Sequence, residues 1–354
     1  MQKIIAGALA ALCVTPAAMA DVTITGSIRA GLEYVQQSGP GTSANLTRVE
    51  DQGSRIAVAG EDKWDDGLST IWQVQNKLHI GAASGDTWGN RNTFIGVKGS
   101  LGNITFGRNE DALYTASGYY VPELDGTYNY SEDAWGNGEL LFRLEERNAN
   151  IASFQSSKFG NFGVNASVGN LGLNNGSANP LQYAATAYYD DGTYTAGASY
   201  KRDNDTSSLL TSELSTTTYK SGDNLESYVV GGGANWNGFM LNALWERVAS
   251  SYSGSNTHQD DAAILIGYKT GPWSVHASYL YMADVKGDAP IAQSGAKQFN
   301  LAGYYKLSKA TRVFVSYTRL ENDANASFEQ STGVPNGTAG DKANIFSLGL
   351  RTNF

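Results

Sequence analysis

The residues of this sequence best suited to chemistry are charged, and their spacing points to electrostatics rather than to bond making. Arg29 shares its parity with Thr23, Thr25 and Ser27, opposite Val22, Ile24 and Ile28. Arg55 takes the parity opposite Ile56 and Val58, and Lys77 takes that of Gln73 and Gln75. Arg143 and Arg147 share the parity of Ser153 and Gln155, provided the extended segment reaches back that far. Between them runs an acidic stretch with Glu110, Asp111, Glu123, Asp125, Glu132, Asp133 and Glu139. A cation on the polar parity of an alternating strand faces water. Cations on one wall facing carboxylates across a gap would make a transverse field that orients dipolar solutes and hinders apolar ones. The plainer reading of the acidic stretch is a solvated loop, or carboxylates that bind divalent cations.

Covalent and metal chemistry find little support. The three histidines are His79, His258 and His276, and no two have metal-ligand spacing. A Gly-x-Ser-x-Gly elbow, a phosphate-binding loop and a dinucleotide fingerprint are all missing. No cofactor is therefore expected. A hydrolase assembling Ser, His and Asn from separate strands stays open, because such triads leave no local signature.

The elements that must position these charges are read from a rhythm of two. Val22, Ile24, Ile28, Ala30, Leu32 and Tyr34 fall on one parity, and Thr23, Thr25, Ser27, Arg29, Gly31 and Glu33 on the other. Strict alternation of this length marks a strand long enough to cross a membrane at a tilt. It recurs to the C-terminus. Strands are expected to start near residues 22, 53, 68, 92, 103, 147, 161, 181, 193, 225, 238, 259, 272, 296, 310 and 342. Short connections near 62–67, 99–102, 157–161, 190–192, 237–238, 270–272 and 307–310 alternate with long ones near 36–52, 81–91, 110–146, 170–180, 203–224, 249–258, 284–295 and 321–341. Aromatics gather beside the short turns, among them Trp64, Phe159, Phe162, Tyr188, Tyr189, Tyr194, Trp236, Phe239, Tyr268, Trp273, Tyr305 and Phe354. Rings of this kind favour the headgroup level of a membrane. The expected fold is all-β: a sixteen-stranded antiparallel transmembrane barrel, apolar outside and wet inside. A soluble sandwich explains the alternation equally well, but not the one-sided loop lengths.

The ends of the chain agree with export. Lys3, the apolar run from Ile4 to Val14 and the small residues Ala18-Met19-Ala20 are expected to form a signal peptide over 1–20, with the barrel over 21–354. Cleavage there removes Cys13, the only cysteine, and with it any disulfide or thiolate metal site. A net charge of −9 disfavours nonspecific nucleic-acid binding. It does not set the sign of ion preference, since much of it falls in loops.

Four stretches carry a family resemblance. They are Asp21-Val22-Thr23-Ile24-Thr25-Gly26-Ser27-Ile28-Arg29, Ser54-Arg55-Ile56-Ala57-Val58-Ala59-Gly60-Glu61-Asp62, Asn92-Thr93-Phe94-Ile95-Gly96-Val97-Lys98-Gly99 with Gly102-Asn103-Ile104-Thr105-Phe106-Gly107-Arg108, and the ending Ser347-Leu348-Gly349-Leu350-Arg351-Thr352-Asn353-Phe354. In these the chain resembles the trimeric general diffusion porins of Gram-negative bacteria, of the neisserial and β-proteobacterial type. The resemblance implies an outer-membrane homotrimer, short periplasmic turns, long extracellular loops and a third loop folded into the lumen. It also implies that Arg108, whose own parity is ambiguous, lies in the pore. Phe354 resembles the signal read by the outer-membrane assembly machinery. The segment from Ile151 to Gln155 lacks an arginine that the family pattern would place there, which weakens the basic side of the narrowing.

The function expected is passive diffusion of ions and small hydrophilic solutes through a water-filled channel, with outer-membrane lipid and lipopolysaccharide as surroundings. The alternatives are an outer-membrane barrel serving mainly as adhesin or surface-interaction protein, and a substrate-specific channel.

Overall fold

The computed structural model describes residues 21–40, 43–80, 87–115, 140–170, 178–212, 218–252, 254–330, 334 and 337–354. The expected leader lies outside the described residues, as do Glu123, Asp125, Glu132, Asp133 and Glu139.

Strands dominate the described residues. In order these are β1 (Asp21–Ser38), β2 (Ala44–Asp51), β3 (Arg55–Lys63), β4 (Ser69–Lys77), β5 (Thr93–Gly99), β6 (Gly102–Glu110), β7 (Arg147–Ser156), β8 (Phe162–Asn170) and β9 (Leu181–Asp190). They continue as β10 (Tyr194–Ser207), β11 (Thr218–Trp236), β12 (Phe239–Tyr252), β13 (Ser255–Thr270), β14 (Trp273–Met282), β15 (Lys286–Gly287), β16 (Ala296–Lys306), β17 (Thr311–Asn322) and β18 (Lys342–Asn353). Neighbours pair antiparallel, and β18 returns onto β1 from Ser27↔Asn353 to Ser38↔Lys342. Closure leaves no free edge. β2 and β3 both pair with β1 and are two halves of one crossing, while β15 is a two-residue ribbon beside β13. The barrel thus has sixteen strands.

The break between β2 and β3 is repaired by a side chain. Ser54 Oγ accepts from the Arg29 amide at 2.9 Å and donates to the Arg29 carbonyl at 3.0 Å. This replaces the ladder bonds that an irregular stretch forfeits.

Three loop expectations need correction. The connection expected over 36–52 is largely strand, since β1 runs to Ser38 and β2 starts at Ala44. The one expected over 249–258 is a tight hairpin, with Tyr252 opposite Ser255. The one expected over 203–224 is likewise mostly strand, since β10 runs to Ser207 and β11 starts at Thr218. In all three places polar residues keep pairing beyond the apolar band, where alternation no longer signals a strand.

Alternation sets which face each residue takes. In β8, Phe162, Val164 and Val168 are exposed while Asn165 and Ser167 are buried. Ile264, Val315 and Leu348 are likewise exposed on the outside. A continuous outer band of this kind fits contact with hydrocarbon. Aromatic pairs across adjacent strands border the band at both ends. Beside the short turns are Phe162–Tyr189, Phe239–Tyr268 and Trp273–Tyr305, with ring centroids 5.1, 4.5 and 4.4 Å apart. Towards the loops are Tyr200–Tyr228 at 5.0 Å and Tyr317–Phe346 at 4.8 Å. Tyr188 is the exception to the expected belt: it points inward, its ring lying where a Cβ on Gly163 would sit. Phe354 remains outside, its backbone paired with that of Gly26 at 2.9 and 3.0 Å.

The turns follow their chemistry. Trp236 and Phe239 are joined by Asn237 (φ 51°) and Gly238 (φ 83°), the two positive angles a tight hairpin requires. In the turn after β9, the Asp191 carboxylate accepts from the Thr193 and Tyr194 amides at 2.8 and 2.7 Å.

The inner face departs from a uniformly wet wall. Leu225, Val229, Leu244, Val248, Leu265, Leu280, Met282 and Leu320 all point inward and are buried. They are covered by Leu113 and by residues 140–144 of the long connection between β6 and β7, with Leu210 and Phe328 from the connections after β10 and β17. Half of the inner wall is therefore a dry core.

Candidate pore constriction

The other half of the inner wall carries the cations. Arg312, Arg351 and Arg29 lie side by side across β17, β18 and β1. Next along the wall, Arg55 on β3 stands opposite Ser27 on one side and Lys77 on the other. The inward parity predicted for Arg29, Arg55 and Lys77 is the one the strands adopt. Arg29 is fully buried, with its Nε donating to Ser27 Oγ at 3.0 Å. Arg55 and Lys77 are half-buried, and their side chains have no ion pair or hydrogen bond among the described residues. A polar hollow of about 240 Å³ opens beside them, lined in part by Ser27, Arg55, Gln75, Arg351 and Asn353.

Two further arginines extend this arc. Arg91, just ahead of β5, donates from Nε to Gln75 Oε1 at 3.1 Å. Arg147, at the start of β7, bonds the side chains of Asn92 and Glu110 and lies 5.1 Å over the Tyr114 ring. Arg108 is set apart. It stands opposite Thr93 in the unbroken β5–β6 ladder, on the outward parity of Ile95 and Val97, and falls in the register shift between Gly107 and Asn109 on the β7 side, with its Nε bonded to the Asn90 carbonyl at 2.9 Å. The same irregularity is why its parity was unreadable.

The long connection enters the barrel on the opposite side. Asp111 caps a helical turn at 112–115, its Oδ1 accepting from the Tyr114 amide at 2.7 Å. Its Oδ2 accepts from the Glu146 amide at 3.0 Å, tying the two limbs of the loop together. The same carboxylate meets Lys201 Nζ of β10 at 2.9 Å, and both groups are fully buried. Lys201 also donates to the Leu144 carbonyl at 2.6 Å and to Glu146 at 3.2 Å. Burial pushes the Asp111 carboxyl above its ordinary range, and the Lys201 ammonium opposes the shift. Asp111 is thus a loop anchor, whereas Glu110, the last residue of β6 rather than part of the loop, meets Arg147 of the basic arc.

Arg143 does not lie on a strand, since β7 begins at Arg147. It sits on the returning limb and points away from the arc. Its Nη1 donates to Gln259 Oε1 at 2.6 Å and lies 3.6 Å from Asp261. Its Nη2 donates to the carbonyls of Leu210 and Ser212 at 3.1 and 2.9 Å. Glu246 on β12 accepts from the amides of Phe142 and Arg143 at 2.7 and 3.2 Å.

Sequence reading overlooked Arg312, Arg351, Arg91, Lys201 and Glu246. Arg312 and Arg351 sit opposite Val313 and Leu350, so the argument used for Arg29 would have found them. Lys201 and Glu246 were equally legible as inward, but no local signal tells that a distant loop covers them. Arg91 precedes its strand and has no periodicity.

The arrangement is a half-filled barrel with a cationic arc along the unfilled side. It can pass small solutes and bias them by charge. Comparison with known proteins agrees. Residues 8–325 match the Gram-negative porin family. The major outer membrane protein P.IB of Neisseria meningitidis serogroup B is 31% identical over 333 residues, covering 89% of this chain and 92% of that protein. Its counterpart in Neisseria lactamica is 27% identical, covering 94% and 96%. Among solved structures, the anion-selective porin from Comamonas acidovorans superposes with a TM-score of 0.76 at 17% identity, covering 95% of this chain and all of that one. The trimer form of OmpT from Vibrio cholerae reaches 0.68 at 18% identity, covering 94% and 99%. On the extent of these matches and the closed sixteen-stranded barrel, the chain belongs to the Gram-negative porin family and is an outer-membrane channel for passive diffusion.

Proposed function

We propose that this channel prefers anions, and that its narrow part runs along the arc of Arg312, Arg351, Arg29, Arg55, Lys77, Arg91 and Arg147. The observation that carries this reading is the pair Arg55 and Lys77, two adjacent inward cations that make no direct ion pair among the described residues, with Glu50 the carboxylate that interacts electrostatically with Lys77. In a narrow wet pore, unpaired fixed cations raise the local anion concentration and repel cations. The Comamonas relative, described as anion-selective, fits the same electrostatics. Glu123, Asp125, Glu132 and Asp133, which lie outside the described residues, are the carboxylates proposed for the acidic side of a transverse field.

The remaining parts of the reading follow the family. The chain works as a homotrimer, as the OmpT trimer does, with its short turns towards the periplasm and lipopolysaccharide around the loop end. Residues 1–20 are removed on export, and Phe354 serves assembly. The channel needs no cofactor and performs no catalysis.

Reversal potentials in planar bilayers under a potassium chloride gradient test the proposal. The expected result is a potential of anionic sign that shrinks as salt rises, because the screening length falls from about 10 Å at 0.1 M to about 3 Å at 1 M. A cationic sign overturns the anion preference. A current that saturates with one solute would instead indicate a substrate-specific channel, and absence of conductance steps would favour an adhesin.

A further inference from the structure

We infer that Arg143 is a positioning residue that couples the loop-end lid of the barrel to its narrowing. Three connections meet at this one side chain. It belongs to the returning limb of the β6–β7 loop. Its guanidinium bonds two carbonyls of the connection after β10, Leu210 and Ser212. Its face lies 5.0 Å from the ring of Phe328, which belongs to the connection after β17.

The lid itself is bonded across its parts. The Ser327 amide donates to the Thr211 carbonyl at 2.9 Å, joining the connection after β17 to that after β10. The Asn325 amide donates to the Gln293 carbonyl at 2.7 Å, and its side chain to the Ala292 carbonyl at 2.8 Å, joining in the connection before β16. Asn322 of β17 clamps Phe328 through the latter's amide and carbonyl, at 3.0 and 2.9 Å.

Arginine suits this place for a chemical reason. Its planar fork offers five donors in fixed directions, and its flat face stacks on a ring. The backbone carbonyls and Gln259 take donors, Phe328 takes the face, and Asp261 and Glu246 balance the charge within a buried site. A lysine could satisfy the charge but not the fork. Arg143 stands three residues before Glu146 and four before Arg147, so displacement of the lid is transmitted along the limb to the cationic arc.

Single-channel recording tests this with the intact trimer in planar bilayers, after heat-modifiable migration has shown that each variant is folded. Arg143→Met keeps the apolar stem and removes every donor. The expected outcome is loss of a single sharp conductance level, a lower closing voltage and entry of larger polymers than the native pore admits. Arg143→Lys should restore the conductance level only in part. Phe328→Ala, which leaves the guanidinium bonds in place, should shift the closing voltage in the same direction by less. In the double variant the shift should equal that of Arg143→Met alone, because both act through one contact. Arg247→Ala, which breaks the outward pair with Asp260 at 2.7 Å, should leave the trace native. Native conductance, closing voltage and polymer cut-off in folded Arg143→Met overturn the proposal, as do additive shifts in the double variant. Should Arg143→Met not fold, Arg143→Lys and Phe328→Ala carry the test, and native traces from both overturn it.

Discussion

The inner wall from β17 through β18 and β1 to β7 and the inner wall from β9 to β17 rest on the same alternation, yet they do opposite things. In the first, the inward residues include Arg312, Arg351, Arg29, Arg55 and Lys77; the first three are buried, while Arg55 and Lys77 are partly exposed and Arg55 lines a polar hollow. In the second, they include Leu244, Leu265 and Leu280, and loop residues seal them off. Inward is therefore not the same as wet. A barrel of this size has more interior than a diffusion path needs. This chain fills one side with an apolar core, and the proposed path runs against the charged side. The charges that remain on the covered side, Lys201, Asp111, Arg143 and Asp261, are paired, as burial demands.

The contrast can be broken most severely at Lys201. Replacement by Met leaves Asp111 and Asp203 buried without their cation, and should cost about 3–5 kcal/mol in urea unfolding of the barrel from lipid vesicles. A cost below about 1 kcal/mol would mean that water reaches the site and that this half is not dry. Next comes the apolar lining. Leu265→Ala should lose about 2–5 kcal/mol, as cavity-forming changes in packed cores do. Leu241→Ala on the lipid face should lose less, because lipid chains fill the gap; equal losses would remove the distinction between a packed interior and a fluid surround.

The charged half is tested by permeation rather than stability. Arg29→Ala combined with Arg55→Ala should lower the anion-to-cation permeability ratio by up to about thirtyfold at low salt, since each fixed cation attracts an anion and repels a cation by ~0.5 kcal/mol at about 8 Å in water. An unchanged reversal potential would remove both from the narrow part. The smallest effect is expected at the turn after β9, in neither half. Its backbone donors hold the Asp191 carboxyl below the ordinary aspartate range. The turn is therefore fully braced above about pH 4 and loosens as pH falls through the lowered value. Amide exchange of Tyr194 should speed up there, and Asp191→Ala should show the fast rate at every pH.

Much of this was legible from the residues in order. Strand number, most strand starts and the inward faces of Arg29, Arg55 and Lys77 all follow from a period of two. The positive angles of Asn237 and Gly238 follow from a two-residue turn. The failures share one cause. Tyr188 lies on the inward parity, but its place beside a turn suggested a belt residue. Arg108 sits at a register shift, where parity changes without any mark in composition. Asp111 and Arg143 lie on a loop, where no period applies.

The sequence by itself determined what local geometry determines: which side chains share a face, where the chain turns, and that a closed barrel with an apolar outside can form. Only the tertiary structure decided which inward residues meet water. That choice depends on contacts between residues far apart in the chain, such as Lys201 with Asp111 and Arg143 with Gln259, 90 and 116 positions away. A period of two carries no information at that range, because it constrains each strand against its neighbour and leaves the filling of the interior to the loops.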